Sequence, residues 1–312
     1  MQNQNPKISV VIPVYRSEQS LGILVQRLVA AFQQIGRELE IVLVDDASPD
    51  NSWAVLKKLK EEHGKTLKIA RLLTNRGQHN AILCGLSLST ADYVVTMDDD
   101  LQNPPEEIPK LIEALERGYD LVIGAYDSKK HGAFRNLGGR LIDATIRRIF
   151  DLPPGFQLTS FRAAKRVVVA SVLQMSAVFP YITCMLLSNS SNYANVAVRH
   201  EPRRFGRSNY RLKQSAYLAA NLVFSYSSYP LYFVGLLCLA AFLFSTLIGF
   251  RTIYRTLAYG AAVPGWASTI VIVSFFNGLI LLCLSIFGLY LLRMHQQITR
   301  TRVSYTISEL YE

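Results

Sequence analysis

The chain has 312 residues, a formal net charge of +10 and a hydrophobic share of 50%, with a slightly positive mean hydropathy. A basic balance alone points to nucleic acid or anionic lipid. Here the hydrophobic excess sits in two C-terminal blocks beside the arginines, without an aromatic-basic groove pattern, so the expected partner is a lipid bilayer and not nucleic acid.

Met1–Lys7 is polar and runs straight into a strand-like segment, so no signal peptide is expected. Residues 7–126 alternate strand-like runs (Ile8–Val14, Glu40–Val44, Leu67–Leu72, Tyr93–Met97, Asp120–Ile123) with helical periodicity such as Leu21, Leu24, Val25, Leu28 and Phe32. A strand-helix unit of about 30 residues is what a right-handed crossover requires. Near-continuous Val/Ile runs mark strands covered on both faces, which predicts an α/β fold with a doubly wound, mostly parallel sheet. Ligands of such sheets sit at the carboxyl ends of the strands. Four polar stretches fall there: Pro13-Val14-Tyr15, Asp45-Asp46-Ala47-Ser48, Asn75 to Asn80, and Asp98-Asp99-Asp100-Leu101-Gln102.

The triple aspartate carries the most chemistry. In a turn, residues two apart can aim at one point, so Asp98 and Asp100 are candidates to hold one divalent cation while Asp99 turns away, with Gln102 as a neutral oxygen ligand. Hard carboxylate oxygens suit Mg2+ or Mn2+, which keep open positions for substrate phosphates. The alternative is a solvated acidic turn before Pro104 and Pro105. In Asp45-Asp46 a carboxylate is placed to accept hydrogen bonds from a nucleoside base or ribose; an Asx-type turn at Ser48 and Asp50 capping the next helix is compatible with that role. Neither GxGxxG nor GxxxxGK[ST] occurs.

From about residue 127 the pattern changes. Phe134–Phe150 reads as an amphipathic helix, apolar along Phe134, Leu137, Leu141, Ile142 and Ile149, with Arg140 and Arg147 roughly opposite. Interfacial membrane helix and ordinary surface helix both fit that pattern. The apolar blocks Leu231–Phe250 and Ser268–Leu292 each have the length of a bilayer span. Six basic residues between Arg199 and Lys213, and Arg293, Arg300 and Arg302 after the second block, outweigh Arg251 and Arg255 between the blocks. That asymmetry predicts a multi-pass inner-membrane protein with the catalytic portion and both termini in the cytoplasm. The expected organisation is a catalytic core over 1–126, an acceptor-side extension over 127–228, two transmembrane helices over 229–293 and a cytoplasmic tail over 294–312. The four cysteines are scattered, which supports neither a zinc site nor a disulfide framework.

The succession Val11-Ile12-Pro13-Val14-Tyr15, Val44-Asp45-Asp46-Ala47-Ser48, Asn75-Arg76-Gly77-Gln78-His79 and Asp98-Asp99-Asp100-Leu101-Gln102-Asn103-Pro104-Pro105-Glu106 resembles family 2 glycosyltransferases. It is most similar to the polyprenyl-phosphate glycosyltransferases, the dolichol-phosphate mannose synthase type and the bacterial relatives that load glucose or modified arabinose onto undecaprenyl phosphate. The resemblance implies a GT-A-like core, a nucleotide-sugar donor and inverting transfer to a polyprenyl phosphate. On the donor side it implies Pro13, Tyr15, Glu18, Asp46, Gln78, Asp98 and Asp99. For the metal it implies Asp98, Asp100 and Gln102, with Asp100 also catalytic. Arg204 (or Arg203), Arg207 and Ser208 would reach the metal-diphosphate site, and Arg135, Arg140 and Lys130 the acceptor phosphate. A two-span hairpin leaves room for packing between protomers, so a homo-oligomer is compatible with the sequence.

The chain departs from the family in places. Tyr-Asn-Glu is replaced by Tyr15-Arg16-Ser17, which leaves Glu18 as the candidate for the ribose contact. Where relatives have Gly-Asp-Phe/Tyr, the chain reads Gly155-Phe156-Gln157, without the aspartate. A phosphate-monoester acceptor already carries about −1.5 to −2 charges near neutral pH, so it needs a positive cradle and alignment more than a base. Two other readings were weighed. A processive polysaccharide synthase would need a Gln-x-x-Arg-Trp motif, which neither Trp53 nor Trp266 forms. An inactive membrane scaffold or nucleotide-sugar sensor would have no need of an intact Asp98/Asp100/Gln102 set.

Overall fold

The computed structural model describes residues 6–126, 146–175, 180–202, 229–259, 265–299 and 305–312. The chain divides into two compact units, Met1–Ala219 with Arg300–Glu312, and Ala220–Thr299.

The first unit is built on an eight-stranded sheet: β1 (Ile8–Val14), β2 (Leu39–Asp45), β3 (Leu67–Leu72), β4 (Tyr93–Thr96), β5 (Leu121–Tyr126), β6 (Arg162–Lys165), β7 (Tyr193–Val198) and β8 (Ile307–Tyr311). Their order is β7-β5-β6-β4-β1-β2-β3-β8. β3, β2, β1 and β4 are parallel neighbours, and β7 is parallel to β5. β6 runs against both β4 and β5, and β8 runs against β3. The architecture is therefore a mixed α/β sheet whose central part has the expected parallel winding. Every residue of β1 is buried, as a strand covered on both faces requires.

The helices of this unit include α1 (Leu21–Ile35), α2 (Ser52–His63), α3 (Gln78–Leu88), α4 (Ile108–Glu116), α5 (Arg166–Gln174) and α6 (Ile182–Ser188). α1 buries Leu21, Leu24, Val25, Leu28, Ala31 and Phe32, and stops where Gly36 takes φ +63 and returns its N–H to the Phe32 carbonyl. α3 lies so close to the sheet that a Cβ on Gly85 would sit 2.3 Å from Val11 Cγ1. One buried polar knot interrupts the apolar layers. Glu40 on β2 accepts hydrogen bonds from the Ser9 hydroxyl and from the Thr90 N–H and hydroxyl at 2.9 and 2.8 Å, and pairs with Lys68 at 2.9 Å.

The sheet does not end near residue 126. β6 and β7 come from the stretch expected as an acceptor-side extension, and β8 from the stretch expected as a tail. β8 covers the outer edge of β3, which would otherwise leave a row of unpaired backbone groups. Tyr311 packs 6.0 Å from the Trp53 ring, and the Tyr305 hydroxyl meets Ser87 at 3.0 Å. Of the expected helix over Phe134–Phe150, the segment 146–150 is helical; the remainder lies outside the described residues.

The second unit holds two long helices, α7 (Tyr229–Tyr259) and α8 (Trp266–Thr299). Cys238 meets Cys283 at 3.3 Å, and Phe244 lies 6.3 Å from Phe276. As one helix advances the other retreats, so the two run antiparallel. Among the described residues, Phe275–Leu292 within α8 is long and apolar enough to cross a membrane, and a shorter apolar stretch, Leu231–Ala241, opens α7.

Candidate active site

The four loops at the carboxyl ends of β1 to β4 are locked to one another by hydrogen bonds. Asp46, just past β2, reaches across to the loop after β3: its two carboxylate oxygens accept the N–H of Arg76 at 2.7 Å and of Gly77 at 2.8 Å. Gly77 has φ +84, a conformation that favours glycine. That turn starts α3, whose first residue, Gln78, donates its amide to Asp98 at 2.6 Å. Asp99 turns the other way and accepts the Tyr15 N–H at 3.2 Å and the Ser17 hydroxyl, fastening the loop after β1. Arg16 donates its N–H to the Ser48 hydroxyl at 3.2 Å, closing the ring of loops.

The triple-aspartate turn is shaped by Leu101, fully buried and held at φ +64. The buried side chain pins the turn while the positive φ reverses the chain, and the three aspartates take different partners. Gln78 and the Ser160 hydroxyl hold Asp98, and the Gln102 N–H donates to Asp100 at 3.1 Å. Burial pushes the Asp99 carboxyl up to about 7, against the bonds from Ser17 and Tyr15 that favour its charged form; the charges of Asp98 and Asp100 add to the rise. Burial, with the nearby Arg162 charge, brings His79 down to about 3, so its ring is neutral where it packs 4.5 Å from Tyr181.

The donor set tests directly whether a divalent cation fits. Asp98 and Asp100 supply hard oxygens, and each carboxylate oxygen accepts more than one bond, so the donors already on them orient them without exhausting them. Among the described residues no cluster of three or more His, Cys, Asp or Glu side chains forms a closed cage. One or two carboxylates plus substrate phosphates is how Mg2+ is usually held, and the residues present fit such a cation.

Several expected site residues have different immediate partners. Glu18 accepts the Asn51 N–H at 3.0 Å and braces the loop before α2. Asp46, 3% exposed, spends both oxygens on the loop at Arg76 and Gly77, and burial raises its pKa despite those bonds. Gln78 serves Asp98. Pro13 is buried in β1, beyond the last residue that pairs with β4. Tyr15 is 39% exposed at the rim, with the Arg16 guanidinium 5.2 Å from its ring. Phe156, at the position where the resemblance implies an aspartate, is 6% exposed and meets Tyr193 edge-on at 5.4 Å. Lys130, Arg135, Arg140, Arg203, Arg204, Arg207 and Ser208 lie outside the described residues.

Other residues at the site escape a motif search. Ser160 and Arg162 stand behind Asp98, and Tyr126 donates its hydroxyl to Asn103 at 2.6 Å while packing 4.2 Å from His200. Arg27 of α1 forks onto Glu106 at 3.0 and 2.8 Å and reaches Glu201 at 3.0 Å. The Glu201 N–H donates to the Gln102 carbonyl at 2.9 Å, so the chain just before Arg203 is tied to the metal-candidate turn. These contacts join residues far apart in sequence, and no local spacing marks them.

Residues 9–172 match the family described as Glycosyl transferase family 2. The chain belongs to this family. Among its relatives is the undecaprenyl-phosphate 4-deoxy-4-formamido-L-arabinose transferase of Pseudomonas paraeruginosa, 36% identical over 300 residues, covering 93% of this chain and 86% of that protein. The protein of the same name from Enterobacter sp. is 33% identical over 313 residues, covering 97% and 93%. Both are polyprenyl-phosphate glycosyltransferases by name, in line with the resemblance read from the motifs. In structure, the chain is similar to glucosyl-3-phosphoglycerate synthase from Mycobacterium tuberculosis in complex with Mn2+, UDP and phosphoglyceric acid. The TM-score is 0.53 at 21% identity, over 70% of this chain and 78% of the other. A mycobacterial protein matches at TM-score 0.56 and 22% identity, over 70% and 74%. These likenesses show the GT-A type of fold.

Proposed function

We propose that this protein transfers a sugar, with inversion, from a nucleotide-sugar donor to polyprenyl phosphate, undecaprenyl phosphate in a bacterium, at the cytoplasmic face of the inner membrane. The observation that carries the reading is the Asp98/Asp100 pair, presented at the carboxyl end of β4 by the Leu101 turn and oriented by Gln78, Ser160 and Gln102. Asp98 and Asp100, with Gln102, would hold Mg2+ or Mn2+. When bound, that cation neutralises a diphosphate leaving group. The relatives' printed name supports undecaprenyl phosphate as acceptor, and the Mn2+ and UDP of the mycobacterial synthase support the donor class.

The interlocked loops do most of the chain's own work. They fix the rim before substrate arrives, so little ordering remains at binding. Arg27, through Glu106 and Glu201, holds the chain at Glu201 against Gln102; Arg204, Arg207 and Ser208 would meet the diphosphate. Arg135, Arg140 and Lys130 would cradle the acceptor phosphate, whose own charge makes it the nucleophile.

Two membrane crossings are part of the proposal. β8 is built into the same sheet as β1 to β7, so the chain leaves and re-enters the first unit on one side of a bilayer. If Phe275–Leu292 crosses, a second crossing must return it, and α7 is the element available. Reporters fused at Glu312 and inserted near Gly260 should lie on opposite sides; the same side for both refutes the arrangement.

To test the reaction, membranes carrying the protein are incubated with labelled nucleotide sugars and undecaprenyl phosphate. An organic-soluble product is expected, lost in EDTA, restored by Mn2+ or Mg2+, and nearly abolished in Asp100→Ala. Full turnover in EDTA refutes the metal role, and absence of any lipid-linked product refutes the acceptor.

A further inference from the structure

Among the described residues Arg162 is the one buried cation, 3% exposed on β6 between β4 and β5. Its hydrogen-bond partners among the described residues are neutral: Nε donates to the Ser160 carbonyl at 3.3 Å and Nη1 to the Thr183 hydroxyl of α6 at 2.7 Å. Taking a guanidinium out of water costs several kcal/mol unless an anion answers it, and an apolar side chain of similar length would serve the fold at lower cost. Ser160 supplies the connection. The carbonyl that accepts from Arg162 also accepts the Thr96 hydroxyl at 3.0 Å, and the Ser160 hydroxyl donates to Asp98. A continuous path therefore runs Thr183–Arg162–Ser160–Asp98. Burial lowers the pKa of this guanidinium, and the Asp98 charge is among the influences that oppose the shift.

We propose that Arg162 is a positioning residue: anchored on Thr183 through Nη1, it holds the Ser160 carbonyl through Nε, and Ser160 aims the Asp98 carboxylate for the divalent cation. The inference rests on the metal reading of Asp98 and Asp100. Two consequences of removing Arg162 have opposite sign, which makes the direction of the effect diagnostic. Deleting a nearby positive charge would tighten cation binding by Coulomb's law. Losing the residue that orients a ligand through its hydrogen-bond partner typically weakens binding about 10- to 100-fold.

The experiment measures Mn2+ dissociation constants by electron paramagnetic resonance on the full-length protein in detergent, with thermal unfolding alongside. Arg162→Met is expected to weaken Mn2+ binding about 10- to 100-fold, with thermal stability equal to or above wild type, because a buried charge has been replaced by a hydrophobe. Ser160→Ala cuts the path at its middle and should weaken Mn2+ to a similar extent, and the double variant should be no weaker than either single one. Arg162→Lys keeps the charge but not the fork and should stay weak. Unchanged or tighter Mn2+ binding in Arg162→Met, additive losses in the double variant, or full recovery by lysine would each overturn the proposal. Should Arg162→Met not fold, Ser160→Ala decides alone: wild-type Mn2+ affinity in that variant overturns the path. No Mn2+ binding by the wild type overturns the metal reading and this inference together, whereas wild-type binding with insensitive variants overturns only the latter.

Discussion

Asp46→Asn isolates the role of one carboxylate with almost no change of shape. Asp46 is 3% exposed, and its two oxygens accept the Arg76 and Gly77 N–H groups at 2.7 and 2.8 Å. Asparagine keeps one oxygen acceptor and sets an NH2 donor against the second N–H. One charge-assisted bond is lost, worth about 1.5–3 kcal/mol, and the other loses its charge. The segment affected is local: residues 73–78 are exposed, so the loop can open without unfolding the sheet. The expected loss of about 2–3 kcal/mol should therefore appear at the loop and the start of α3. Hydrogen–deuterium exchange there should quicken roughly 30- to 150-fold, since each 1.4 kcal/mol is a factor of ten. The thermal midpoint should move far less than that energy would imply for the whole sheet. Gln78 begins α3 and holds Asp98, so nucleotide-sugar turnover should fall with the loop. Unchanged exchange across residues 75–80 would refute the view that Asp46 holds this loop, and would return it to the direct nucleoside contact expected from the motif.

Three further predictions concern the frame around the site. Burial pushes the Glu40 carboxyl up, but the bonds from Ser9, Thr90 and Lys68 prevail and hold it at about 2, below its ordinary 4.5. Its folded value is depressed, so its contribution of about 3 kcal/mol is fully present above pH 4.5 and is lost as pH falls toward 2. Unfolding free energies of wild type and Glu40→Gln from urea titration should differ by that amount at pH 7 and converge through this window; a gap independent of pH counts against the assignment. Gly85→Ala places a Cβ 2.3 Å from Val11 Cγ1 and should destabilise by about 1–3 kcal/mol through overpacking; an unchanged thermal midpoint would show that α3 yields freely. Phe156→Asp, which restores the family's aspartate, should lose stability by at least about 3 kcal/mol because Phe156 is buried against Tyr193; a stable variant with faster transfer would show that a base was missing.

The sequence by itself determined the features whose physics is local. Alternating Val/Ile runs and helical stripes determined the strands at Ile8–Val14 and Leu67–Leu72 and the buried face of α1, because both faces of a central strand, and one face of a covering helix, must be apolar wherever they pack. The DxD run after a strand marked the turn at Asp98–Asp100 as the chemical centre of the rim, since carboxylates at the carboxyl end of a parallel strand lie where such sheets bind ligands. Tertiary structure decided the rest. Asp46 and Glu18 have the chemistry of nucleoside ligands, and the fold adds a second task, since each accepts backbone N–H groups of a neighbouring loop; nothing local to Asp46 announces Arg76 or Gly77. β6 and β8 enter antiparallel from segments with no strong strand pattern, because an edge that must be covered, or a gap between β4 and β5 that must be filled, recruits whatever chain the topology brings there. Arg162 is the sharpest case. In the sequence it is one arginine among many; only the sheet shows it to be buried behind Asp98, with a serine between them.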